Sequence, residues 1–142
     1  MKAFAVILAL FLCVTQVAAE PSASVPGSGS LAFGIWRGGA RIGTHSYAFR
    51  QVGGDLIVEQ RVDVTVRAGF VTLYRLSGRR LEVWRDGHIV EYDSETDDDG
   101  TPHHVRARPT EDGLVVEGDT GTRHLPPDAM PFGLWNLSLI HI

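Results

Sequence analysis

From Leu31 to Leu125 short runs rich in Val, Ile, Leu, Tyr, Phe and Trp alternate with Gly, Asp and Pro clusters at intervals of roughly 8 to 12 residues, the spacing of an antiparallel meander. The pattern predicts strands at 31–37, 41–50, 56–67, 70–76, 80–86, 88–96, 103–108, 114–118 and 122–125. Nearly every joint carries Gly or Asp, including Gly38-Gly39, Gly53-Gly54-Asp55, Ser77-Gly78, Asp86-Gly87, Asp97 to Pro102, Glu111-Asp112-Gly113 and Asp119 to Gly121. Such residues reach positive φ or close a turn with a side-chain hydrogen bond at little cost, so they mark hairpins.

The clearest strand is 56–67. Val58, Val62, Val64 and Val66 share a face with Gln60, while Ile57, Glu59, Arg61, Asp63 and Thr65 take the other, which predicts one buried and one wet side. In 41–50, Tyr47 and Phe49 fall on the face of His45. In 80–86, Leu81 and Val83 oppose Glu82 and Trp84, which puts Trp84 on the side away from the core, as an exposed contact residue beside Arg85, unless both faces of the sheet are covered. No window from Leu31 onward has a convincing helical period. A sheet with one apolar face and no helix to cover it must curl or pack on a second sheet. The expected fold is all-β: a strongly curved antiparallel meander forming a half-barrel or open barrel, with an aligned β-sandwich as the alternative.

The two ends of the sequence read differently. Lys2 precedes the apolar run Ala3 to Val14, which is short for a membrane span, and Val17-Ala18-Ala19 supplies the small residues of a cleavage site. Residues 1–19 therefore read as a signal-peptide helix, with a mature protein from Glu20, a periplasmic or secreted location and no stable membrane span after cleavage. Residues 20–30 are Pro-, Gly- and Ser-rich, a composition that buries no core and predicts a flexible linker. The β domain is expected over 31–136.

Composition narrows the partners. The 142 residues are 44% hydrophobic and 21% charged, with a formal charge of −4, so the phosphate-binding excess of a nucleic-acid protein is missing. Twelve of the 13 basic residues are arginines scattered along the sequence. Cys13, the single cysteine, lies inside the signal segment, which excludes an internal disulfide framework.

Several segments carry a resemblance. Ser30-Leu31-Ala32-Phe33, Arg37 to Phe49, Glu82-Val83-Trp84-Arg85-Asp86-Gly87, Ser94 to Gly100, Leu125-Pro126 and Trp135-Asn136 resemble an uncharacterised family of short exported bacterial proteins, classified as a domain of unknown function. The resemblance runs from about Ser30 to Asn136. It implies export and an all-β fold, and it carries over no catalytic residue. Members of that family continue past the Trp-Asn pair, whereas Leu137 to Ile142 resembles translated adapter read-through. The tail 137–142 is therefore expected to be non-native and the protein truncated at its C-terminus. The alternative is a genuine closing strand.

Candidate chemistry is sparse. Glu95 with Asp97-Asp98-Asp99-Gly100 spaces oxygen ligands as an EF-hand loop does, but Arg106 stands where the bidentate Glu belongs, and a solvated hairpin turn is the simpler reading. His103 and His104 are adjacent on one strand and point to opposite faces, so they cannot easily share a metal, and His45 or His124 would have to converge on one of them. No nucleophile elbow, zincin helix or phosphate loop is present.

The aromatics are the strongest remaining signal. Phe33, Tyr47, Phe49, Phe70 and Tyr74 are the candidate ligand-binding residues of a concave apolar face, with core filling as the competing role. The expected function is a non-enzymatic binding or carrier module for an apolar or amphipathic molecule, without metal or cofactor. The alternatives are an envelope module that contacts a protein partner through edge strands or Trp84, and a metal-dependent or hydrolase-like enzyme using His103 or His104 with an aspartate.

Overall fold

The computed structural model describes residues 29–131 and Trp135. The signal segment 1–19, the linker as far as residue 28 and the tail 137–142 lie outside the described residues. Eight strands follow one another: β1 (Ser30–Arg37), β2 (Ala40–Val52), β3 (Asp55–Ala68), β4 (Val71–Arg85), β5 (His88–Asp98), β6 (Thr101–Thr110), β7 (Gly113–Gly118) and β8 (Gly121–Leu125). They form one antiparallel sheet in sequence order, and β1 and β8 are its two open edges. The fold is the all-β meander expected, unclosed and built from one sheet rather than a sandwich. No helix among the described residues is long and apolar enough to cross a membrane.

Two-residue connections explain this simple order. Each of the seven joints between these strands contains just two residues, too few to reach any strand except the next. Asp86-Gly87 and Asp99-Gly100 show how: Asp86 (φ 50°) and Gly87 (φ 79°), like Asp99 (φ 52°) and Gly100 (φ 89°), place consecutive residues at positive φ, as a tight right-twisting hairpin requires. The acidic run thus serves the β5–β6 turn. Asp97 Oδ1 accepts the Gly100 N–H at 2.7 Å, and Asp99 Oδ1 accepts the Arg75 N–H at 3.1 Å.

Two sequence expectations need correction. Ser77-Gly78 is not a turn, and the strands predicted at 70–76 and 80–86 are one strand, β4. Gly78 sits mid-strand because a Cβ there would stand 3.1 Å from Val62 Cγ1 and 3.2 Å from Thr96 Oγ1, so its lack of a side chain makes room for both neighbours. Trp84 is also reversed. It is buried with Glu82, and Leu81 and Val83 take the outer face.

The pairing register shows why. Phe49 lies opposite Val58, Val58 opposite Glu82, Glu82 opposite Tyr92, Tyr92 opposite Ala107 and Ala107 opposite Val116, giving one row across six strands. Cross-strand partners share a face, so the row is the spine of the core. Val58 is fully buried in it. A second row places Leu56 against Trp84 and Trp84 against Ile89. The register shift at Val83/Trp84 makes this match possible: Val90 is left as the extra residue of a bulge, and Ile89 turns onto the face of Tyr92. The core cluster comprises Tyr47, Phe49, Val58, Trp84, Ile89, Ala107 and Leu114, with Leu31, Leu56, Tyr92, Val116, Ala129 and Trp135 packed on it.

Candidate functional site

Among the described residues one charged side chain is buried, and it stands at the centre of the core face. Glu82 is 1% exposed, and its Oε2 accepts the indole N–H of Trp84 at 3.0 Å and that of Trp135 at 3.2 Å. Arg80 NH1 stands 3.5 Å from Oε1, and the Arg80 guanidinium lies 5.4 Å from the Tyr92 ring centre. Burial raises the Glu82 pKa above the ordinary glutamate value, while the two indoles and Arg80 pull it part of the way back. Trp135 completes this cage. Its ring meets Phe49 and Trp84 edge-on, each at 5.6 Å, so residues distant in sequence close over one carboxyl group.

Toward β5–β8 the same face opens into an apolar cavity of about 190 Å³. Ile89, Tyr92, Ala107, Leu114 and Val116 line its floor, and Ala129-Met130-Pro131 passes over it. Leu125 and Met130, both exposed, stand at its rim. Among the described residues its wall holds no charged side chain.

The five aromatics singled out in the sequence are not all brought together. Phe33, Tyr47 and Phe49 form a succession of ring contacts, 6.3 Å from Phe33 to Tyr47 and 6.3 Å from Tyr47 to Phe49. Tyr47 and Phe49 are buried within the core cluster, and Phe33 is exposed at the β1 edge. Phe70 is 99% exposed. It occupies the β3–β4 turn at the tip of an arm whose residues Val66 to Tyr74 have strand partners only among themselves, beyond the last pairs Gly43–Val64 with β2 and Leu76–Asp98 with β5. Tyr74 lies on that arm, and its hydroxyl bonds the Asp98 carboxylate, which raises its pKa. Ile89, Ala107, Leu114 and Val116 were missed as cavity residues because aliphatic side chains in strands read as core filler. Glu82 was missed because its flanking Leu81 and Val83 made the opposite face look apolar.

The outer face is a lattice of charge. Arg79 pairs with Glu95 and Glu95 with His104 across β4, β5 and β6, and next to this row Asp93 lies opposite Arg106 and Arg106 opposite Glu117. Arg79 Nε donates to Glu95 Oε2 at 2.9 Å, and Arg106 Nε donates to Asp93 Oδ2 at 2.9 Å. His104 Nε2 is 3.4 Å from Asp93 Oδ1. Burial pushes Asp93 up, but Arg106 and His104 together outweigh it and hold the carboxyl below its ordinary value. His103 and His104 do take different partners: His103 Nδ1 lies 2.5 Å from Asp119 Oδ2, and this bond lowers the Asp119 pKa. A groove of about 880 Å³ runs along this face, lined among others by Arg61, Asp63, Arg79, Glu95, His104 and Asp119.

Residues 33–142 match a family described as Domain of unknown function (DUF6134). The protein belongs to that family. The DUF6134 match agrees with the resemblance seen in the sequence and adds no activity to it. No curated protein and no solved structure matches it.

Proposed function

We propose that this protein is a non-enzymatic binding module that takes the apolar part of an amphipathic molecule into the β5–β8 end of its core face. The observation that supports this reading is the cavity itself: about 190 Å³ walled by Ile89, Tyr92, Ala107, Leu114 and Val116, with no charged side chain among the described residues and with exposed Leu125 and Met130 at the rim. Binding sites for small molecules combine such apolar walls with a few polar groups at the margin. The volume sets the ligand. It is below the ~300–1,000 Å³ of pockets for drug-sized molecules, so it suits a short acyl stretch or one ring, with the polar part of the ligand left outside. The aromatic series Phe33–Tyr47–Phe49 then acts as the packed support of the sheet rather than as the receptor wall.

Titration with a fluorescent fatty acid tests the reading. The unaltered protein should bind saturably, and Ala107→Leu, which fills the floor, and Leu125→Trp, which blocks the rim, should each weaken binding by about tenfold or more, equal to 1.4 kcal/mol, without lowering the melting temperature. Undiminished binding by both variants would remove the cavity from the account. The exposed Phe70 arm would then become the better contact surface, as an envelope protein-interaction module requires.

A further inference from the structure

We infer that Asp93, Glu95 and His104 form a site for a divalent transition-metal ion, with zinc as the best fit. The site lies on the outer face and does not depend on the apolar cavity. Asp93 and Glu95 are two apart on β5 and so project to the same side, and His104 on β6 is the direct cross-strand partner of Glu95. This arrangement brings one ligand atom from each of the three side chains within 4.8 Å of one another. Small rotations of these part-exposed side chains bring the three atoms to where one ion reaches each of them at the ~2.0–2.2 Å of zinc bonds.

The donor set selects the ion. One imidazole nitrogen with two carboxylate oxygens suits Zn²⁺, whereas Ca²⁺ and Mg²⁺ prefer oxygen throughout. Two carboxylates also match the charge of a divalent cation. Arg79 and Arg106 compete for these groups, but each holds a single oxygen, Glu95 Oε2 and Asp93 Oδ2. Asp93 Oδ1 faces His104 Nε2 at 3.4 Å, so an ion bound here replaces that contact and draws on both atoms. The arginines then orient the ligands, as outer partners do in metal sites. Glu95 and His104 line the groove of about 880 Å³, which provides an entry path and leaves the fourth coordination position facing solvent.

The test is isothermal titration of chelator-treated protein with zinc chloride at neutral pH. One equivalent should bind saturably. His104→Ala and Glu95→Gln should each weaken uptake by at least about tenfold, while His103→Ala, whose partner is Asp119, leaves it unchanged. Circular dichroism of each variant must match that of the parent, as expected for exposed side chains, and Glu95→Gln changes almost no volume. Absence of saturable uptake, uptake that survives both His104→Ala and Glu95→Gln, or loss through His103→Ala would overturn the site.

Discussion

Glu82 and the pair Asp93/Glu95 are carboxylates on neighbouring strands of one sheet, and the protein treats them in opposite ways. Glu82 faces the core, where burial raises its pKa and two indoles and Arg80 crowd around it. Asp93 faces outward, where the hydrogen bonds of Arg106 and His104 overcome burial and lower its pKa. The side of the pleat a residue occupies, not its chemistry, decides whether its charge is a cost or a resource. On the inner face a carboxylate is tolerated because all its neighbours are arranged around it. On the outer face the partners of Asp93 favour its charged form.

The largest expected effect comes from breaking the inner cage. Glu82→Ala leaves two indole N–H groups and the half-buried Arg80 guanidinium beside a void, and should cost about 3–5 kcal/mol, the range for removing one partner of a buried pair. On the outer face, Glu59→Ala removes the partner of Arg50, an exposed pair, and should cost about 0–1 kcal/mol. Urea unfolding of the two variants measures the contrast. Equal costs would erase it.

A smaller effect separates two titratable groups of the inner face by pH. Because the Glu82 pKa is raised in the fold, the native state holds that proton more tightly than the unfolded state does. Its contribution to stability is therefore complete below the ordinary value of 4.5 and is lost as pH rises through the raised one. His45, lowered mainly by burial, acts in the other direction: its contribution is present above 6.5 and is lost as pH falls through the lowered value. Glu82→Gln keeps that site neutral at every pH and should flatten the decline in the urea midpoint on the less acidic side, leaving the His45 limb in place. An unchanged profile would mean that Glu82 titrates as an ordinary surface carboxylate.

The meander was legible because its signals are local. Asp86-Gly87 names its own turn, and the valines of 56–67 name their own buried face. Gly78 misled because the same residue that bends a turn also lets two neighbouring strands crowd a third, and only the register with Val62 and Thr96 separates the two uses. Trp84 misled for a related reason. Leu81 and Val83 are half-buried on the outer face, with Val83 opposite Ile57, so alternation within β4 has apolar residues on both sides. What assigns the faces is the pairing of Trp84 with Leu56 and of Glu82 with Val58, across sequence separations that no local pattern encodes. The outer cluster is similar. His104 was legible as a residue apart from His103, but its convergence with Asp93 and Glu95 depends on the β5–β6 register.

The measurement that most directly tests the two-faced account is an amide NMR titration of one labelled sample, first with a short fatty acid and then with zinc chloride. The account predicts that the acid shifts signals of Ile89, Ala107, Leu114 and Val116 and leaves Glu95 and His104 in place, and that zinc does the reverse. Fatty acid that moves none of the cavity residues, or two ligands that move the same set, would contradict it.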